Sequence, residues 1–133
     1  MTNDEKALFL LKNYKSMVEE MKTMDERSEE FQYASQCKKM IESALVSMQR
    51  KKYMYNVGKI EGMHEDVVKS LYCDVFYLAF ICDKITKAPQ ISAIIQKKYN
   101  IELPTAKISK IRKNIAHICG KYFFKFDLTN FLD

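Results

Sequence analysis

Apolar residues recur near the start of the chain at three- and four-residue steps: Leu8, Leu11, Tyr14, Met17 or Val18, Met21 and Met24. That spacing lines them along one stripe and predicts a first helix over 4–24. Residues 25–28 offer turn and capping types, and Glu29 and Glu30 suit the first turn of a following helix. The second helix is expected to run on through Tyr55, with Phe31, Ala34, Cys37 or Lys38, Ile41, Leu45 and Met48 as its stripe. Asn56, Gly58 and Gly62 mark the connection after it.

From Glu65 the apolar pattern turns dense, with Val67, Val68, Leu71, Tyr72, Val75, Phe76, Leu78, Ala79, Phe80 and Ile81. A helix apolar around most of its surface must be covered on most sides, so 65–85 is expected to be the central helix. A strand over 75–81 is the rival reading, but the breakers that would frame it are missing. Thr86-Lys-Ala-Pro89 then looks like a helix start, because proline in a first turn forfeits no hydrogen bond. A short fourth helix is predicted over 89–99, with Asn100 able to end it in a left-handed conformation. Pro104 precedes a fifth helix over 105–122. The aromatic tail KYFFKFDLTNFLD could extend that helix or fold back over the core.

Composition sharpens this outline. Three glycines and two prolines in 133 residues leave little material for tight hairpins, and 47% hydrophobic residues suffice for one core. The expected fold is all-α, a single domain of five helices: an N-terminal helical hairpin over 1–62, then a region over 63–133 ending in a helix-turn-helix. The most apolar run, LYCDVFYLAFIC, is too short to span a bilayer, and charges begin at Asp4, so no membrane partner and a cytoplasmic location are expected. The four cysteines, at 37, 73, 82 and 119, form no C-x-x-C pair, and the chain has two histidines. Zinc ligation needs closer pairing, so reduced buried thiols and no metal are expected.

No enzymatic constellation is legible either. His64-Glu65-Asp66 reads as a helix start, where acidic residues answer the dipole. Cys119 lies two residues beyond His117, a separation that points helical side chains apart. Scattered glycines make no phosphate-cradling loop. Neither catalysis nor a cofactor is expected.

Charge changes the picture most. Residues 1–83 carry 12 Lys/Arg against 14 Asp/Glu, whereas residues 84–126 carry ten against Glu102 alone, a local net of +9. Such crowding repels itself and favours a polyanionic partner. Projected at about 100° per residue, the fifth helix sets Ile108, Ile111, Ile115, Ile118 and Tyr122 on one side. Lys110, Lys113, His117 and Lys121 cluster opposite, Lys107 and Asn114 fall on one flank, and Arg112 near the other edge of the stripe. In the fourth helix Ile91, Ile94 or Ile95 and Tyr99 are expected inward, and in the turn Ile101 and Leu103 flank an exposed Glu102. A short helix, a turn of about four residues and a second helix are the parts of a helix-turn-helix. Lysines on such a face neutralise phosphates, Asn114 is a side chain that can pair with adenine, and Lys97 and Lys98 would touch the flanking backbone. The bland alternative is a solvated amphipathic face, but such faces usually mix signs, as residues 1–83 do.

The order YLAFICDK, ISAIIQKKYNIE and TAKISKIRKNIAHICGKYFF resembles the C-terminal half of phage and prophage transcriptional regulators of the ArpU/RinA type. The resemblance implies a sigma region 4-like helix-turn-helix. It also implies that Thr105, Lys107, Lys110, Lys113 and Asn114 are DNA-facing positions. Sequence-specific binding of double-stranded DNA by a transcriptional regulator is therefore the expectation. The N-terminal helices would contact RNA polymerase or a second copy of the chain, since the apolar residues within 24–33 and 48–55 look exposed. The alternative is a helical protein–protein interaction module such as a phage-encoded inhibitor or adaptor.

Overall fold

The structure, a computed structural model, describes residues 1–50, 59–84 and 87–125, with the Lys125 side chain left aside. Those residues are all-helical: α1 (Asn3–Met21), α2 (Glu29–Gln49), α3 (Glu65–Phe76) continued by a π-helical turn (Tyr77–Ile81), α4 (Ala88–Tyr99) and α5 (Thr105–Lys125). The strand alternative for 75–81 is thereby excluded. No helix among the described residues is long and apolar enough to cross a membrane.

Local chemistry sets most of the boundaries. Thr2 caps α1 by accepting from the Glu5 backbone N–H at 3.1 Å, and Ser28 caps α2 by accepting from that of Phe31 at 3.1 Å. His64 Nδ1 does the same for α3, accepting from Asp66 N–H at 3.2 Å, so the His64-Glu65-Asp66 triplet is a helix start. Pro89 lies in the first turn of α4, and Asn100 ends that helix at φ 52°, as its sequence position implies.

Four expected boundaries shift. The first helix stops at Met21 rather than Met24; the Thr23 hydroxyl then donates to the Glu20 carbonyl at 3.0 Å, satisfying one of the freed acceptors. The second stops at Gln49 because Arg50 is extended, at φ −95° and ψ 125°. The expected continuation over 51–55 lies outside the described residues. The third is not one regular helix to 85: Cys82 N–H reaches back five residues to the Tyr77 carbonyl at 2.8 Å, and Cys82 itself is extended. At the other end α5 carries on to Lys125, past the expected 122, and the rest of the aromatic tail lies outside the described residues.

One hydrophobic core collects side chains from all five helices, among them Leu11, Ile41, Leu71, Phe76, Phe80, Ile91, Ile95, Ile115 and Phe123. The segments on either side of residue 62 therefore share a single interior. Phe76 and Phe80 meet edge to face, 6.0 Å between centroids. Ile95 is the inward member of its pair, while Ile94 stays partly exposed. Met48, expected on an exposed patch, is buried in the core. The dense third helix is covered less completely than its sequence implies, since Val67 and Tyr77 remain exposed.

The corner between α4 and α5 is fixed by two α4 side chains. The buried Ser92 hydroxyl donates to the Leu103 carbonyl, the Gln96 amide donates to Ser92 Oγ at 3.0 Å, and Gln96 Oε1 accepts from Leu103 N–H at 3.1 Å. Both backbone groups of Leu103 are thus satisfied while its side chain enters the core, and Glu102 points to solvent. Beside α5, antiparallel, lies α1: Asp4 meets His117, and Leu8 and Lys12 line one open cleft with Ser109, Arg112 and Lys113.

Candidate nucleic-acid interface

Helix α5 presents its lysines as its periodicity implies. Ile108, Ile111, Ile115 and Ile118 are buried, Tyr122 is half-buried, and Lys110, Lys113, His117 and Lys121 are exposed. Thr105 is exposed at the helix start, and Lys107 and Asn114 are half-buried on one flank. None of Lys97, Lys107, Lys110, Lys113 and Lys121 makes an ion pair with a described residue.

The buried side is wider than the isoleucine stripe. Ala116, Cys119, Gly120 and Phe123 are buried as well, on the flank occupied by α1. A Cβ on Gly120 would lie 3.2 Å from the Asn3 carbonyl oxygen, so the bare glycine permits this close approach. The polar face left on α5 is correspondingly narrow.

Four of the expected DNA-contacting residues already have partners. Asn114 Nδ2 donates to the Tyr72 hydroxyl at 2.9 Å. His117 Nδ1 stands 2.8 Å from Asp4 Oδ2. The Arg112 guanidinium sits 5.5 Å from the Phe80 ring centre. Lys98 Nζ lies 2.8 Å from Asp74 Oδ2, a carboxylate that also accepts from the Tyr99 hydroxyl. Burial, then that hydrogen bond, pushes the Tyr99 phenol up to about 12. Lys97, by contrast, is exposed and clear of acids.

The helix ends supply a further signal. Acidic residues occupy the first turns of α1 (Asp4, Glu5), α2 (Glu29, Glu30) and α3 (Glu65, Asp66), where they answer the positive end of the dipole. The first turns of α4 and α5 contain none. The start of α5 therefore adds an uncompensated positive end to Lys107, Lys110 and Lys113. Its far end differs, because Asp4 draws negative charge alongside His117. Lys107, Lys110 and Lys113 all lie on the N-terminal half of α5.

Little else in the described residues has the form of a reactive site. No group of three or more His, Cys, Asp or Glu there could hold a metal. All four cysteines are free; Cys37, Cys73 and Cys119 are buried and Cys82 half-buried. Burial pushes the Cys73 thiol up to about 11, and raises that of Cys119 further, so neither is poised as a nucleophile at neutral pH. Sequence reading missed the contribution of α1, because residues 1–83 are net acidic by count. No protein-family model, curated protein or solved structure matches the chain.

Proposed function

We propose that the chain binds double-stranded DNA through α4, the Asn100–Pro104 corner and α5, used as a helix-turn-helix in a phage or prophage-type transcriptional regulator. The observation that carries this reading is the pair Lys110 and Lys113. Both are exposed and without an ion pair among the described residues, on the leading half of a helix whose first turn has no acid. Such a surface attracts phosphates by both point charge and dipole. Lys97 and Thr105 adjoin it at the corner, and Lys121 extends it. Asn114, His117 and Lys98 would act at most after exchanging their present partners. In this reading α1 and α2 contact RNA polymerase or a second copy of the chain, and the resemblance to ArpU/RinA-type regulators supplies the transcriptional context.

A gel-shift titration at two salt concentrations tests the proposal. Duplex affinity should fall by about 0.9 log units per log unit of salt for each phosphate contacted. Lys110→Glu combined with Lys113→Glu should abolish retention while leaving the helical circular dichroism intact. Retention unchanged in that variant refutes the assigned face. No retention of the native chain at low salt refutes DNA binding and leaves a helical protein-interaction module, which the exposed Phe9, Tyr33 and Val46 on α1 and α2 favour.

A further inference from the structure

Between α1 and α5 lies an open cleft of about 180 Å³ lined by Leu8, Lys12, Ser109, Arg112 and Lys113. Three of its five lining residues are cationic, one is a hydroxyl, and none is acidic. Lys12 and Lys113 are exposed and make no ion pair with a described residue. Elsewhere α1, α2 and α3 pair such charges: Lys22 with Glu19, Lys38 with Glu42 and Lys69 with Glu65. Two lysines and an arginine brought together from helices distant in sequence repel one another, a cost that an anion between them would remove.

The donors suit a tetrahedral oxyanion. Arg112 offers a planar fork of N–H groups, and its half-buried position against the Phe80 ring restricts its orientation. Lys12 and Lys113 supply flexible point charges from either side, and Ser109 adds a hydroxyl from one turn earlier on α5. We infer that Lys12, Ser109, Arg112 and Lys113 form a phosphate subsite that seats one backbone phosphate of the bound nucleic acid. This deepens the DNA-binding reading and rests on it. It places α1 against the strand bordering the groove. It also gives Arg112 a role without moving it from Phe80.

Two measurements separate the subsite from the larger proposal. In duplex titrations across a salt series, Lys12→Ala should weaken binding several-fold on every sequence tried and lower the salt slope by about 1. Lys22→Ala removes the same unit of charge from an exposed lysine paired with Glu19 and should leave the slope unchanged. Equal losses in the two variants, or no loss in Lys12→Ala, overturn the subsite while the DNA reading stands. Titration of the native chain with inorganic phosphate, followed by amide NMR shifts, should move Lys12, Ser109, Arg112 and Lys113 together. Absence of that response overturns the subsite; its presence in a chain that ignores duplex DNA identifies free phosphate as the ligand and overturns the backbone assignment.

Discussion

The side-chain amide of Asn114 donates to the hydroxyl of Tyr72 at 2.9 Å, tying α5 to α3 on the flank where a DNA-reading residue was expected. The pair makes Asn114 a structural residue first. Replacing it with alanine should cost about 1 kcal/mol of stability, the net worth of an ordinary hydrogen bond. The cost should shrink in a Tyr72→Phe background, where that bond is already missing. Urea unfolding of the four variants measures the coupling. Loss of sequence preference in Asn114→Ala at unchanged stability would instead make this amide a base reader.

What could be read from sequence was what depends on neighbours along the chain. Ser28, Pro89 and Asn100 mark helix ends through backbone chemistry within a turn or two, and the isoleucines of α5 fix its inward side by period alone. The flank taken by α1 was not legible: Ala116, Cys119 and Gly120 carry little hydrophobic signal, yet their small size is what admits a second helix. Asp4 and His117 meet only because α1 folds back antiparallel, and no local pattern encodes that. The end of α2 was missed because a lysine- and tyrosine-rich continuation contains no breaker, and Met48 because methionine suits core and surface equally.

The corner ahead of α5 should be sensitive out of proportion to its size. Ser92 is 4% exposed and is bonded to both Leu103 and Gln96. Ser92→Ala leaves the Leu103 carbonyl without its side-chain donor, and Gln96→Ala leaves the Leu103 N–H without an acceptor. Each should cost about 1–3 kcal/mol, the penalty for stranding a buried polar group. Thermal or urea unfolding decides it, and either variant unfolding like the native chain would mean that water replaces the lost partner.

Gly120 tests how closely α1 must lie. Its missing Cβ would stand 3.2 Å from both the Asn3 carbonyl oxygen and Asp4 Oδ1. Gly120→Val adds branching against backbone that cannot rotate away, and overpacking of this kind costs about 1–3 kcal/mol. The displaced α1 should also carry Asp4 off His117, so the His117 imidazole resonances should shift in NMR spectra. A fully stable Gly120→Val protein with an unmoved His117 would show the helix contact to be looser than described.

Tyr14 and Glu42 make the stability depend on pH at both ends of the range. The Tyr14 hydroxyl donates to Glu42 Oε1 at 2.8 Å, and Lys38 Nζ approaches the same oxygen at 2.7 Å. Burial alone would raise the Glu42 carboxyl, but the hydrogen bonds from Lys38 and Tyr14 outweigh it and hold the group below its ordinary 4.5. Glu42 therefore stabilises the fold above that value, and its contribution is lost as pH falls through the lowered folded value. Burial, then the bond to Glu42, raises the Tyr14 phenol above its ordinary 10.0. An unfolded chain gives up that proton first, so the Tyr14 contribution is complete below 10.0 and disappears as pH rises beyond it. Glu42→Gln should flatten the acid limb of a stability–pH curve and leave its neutral plateau within about 1 kcal/mol, because the pair is partly solvated. Tyr14→Phe should reduce the alkaline loss. An acid limb unchanged in Glu42→Gln would assign that sensitivity to other carboxylates and remove Glu42 from the account.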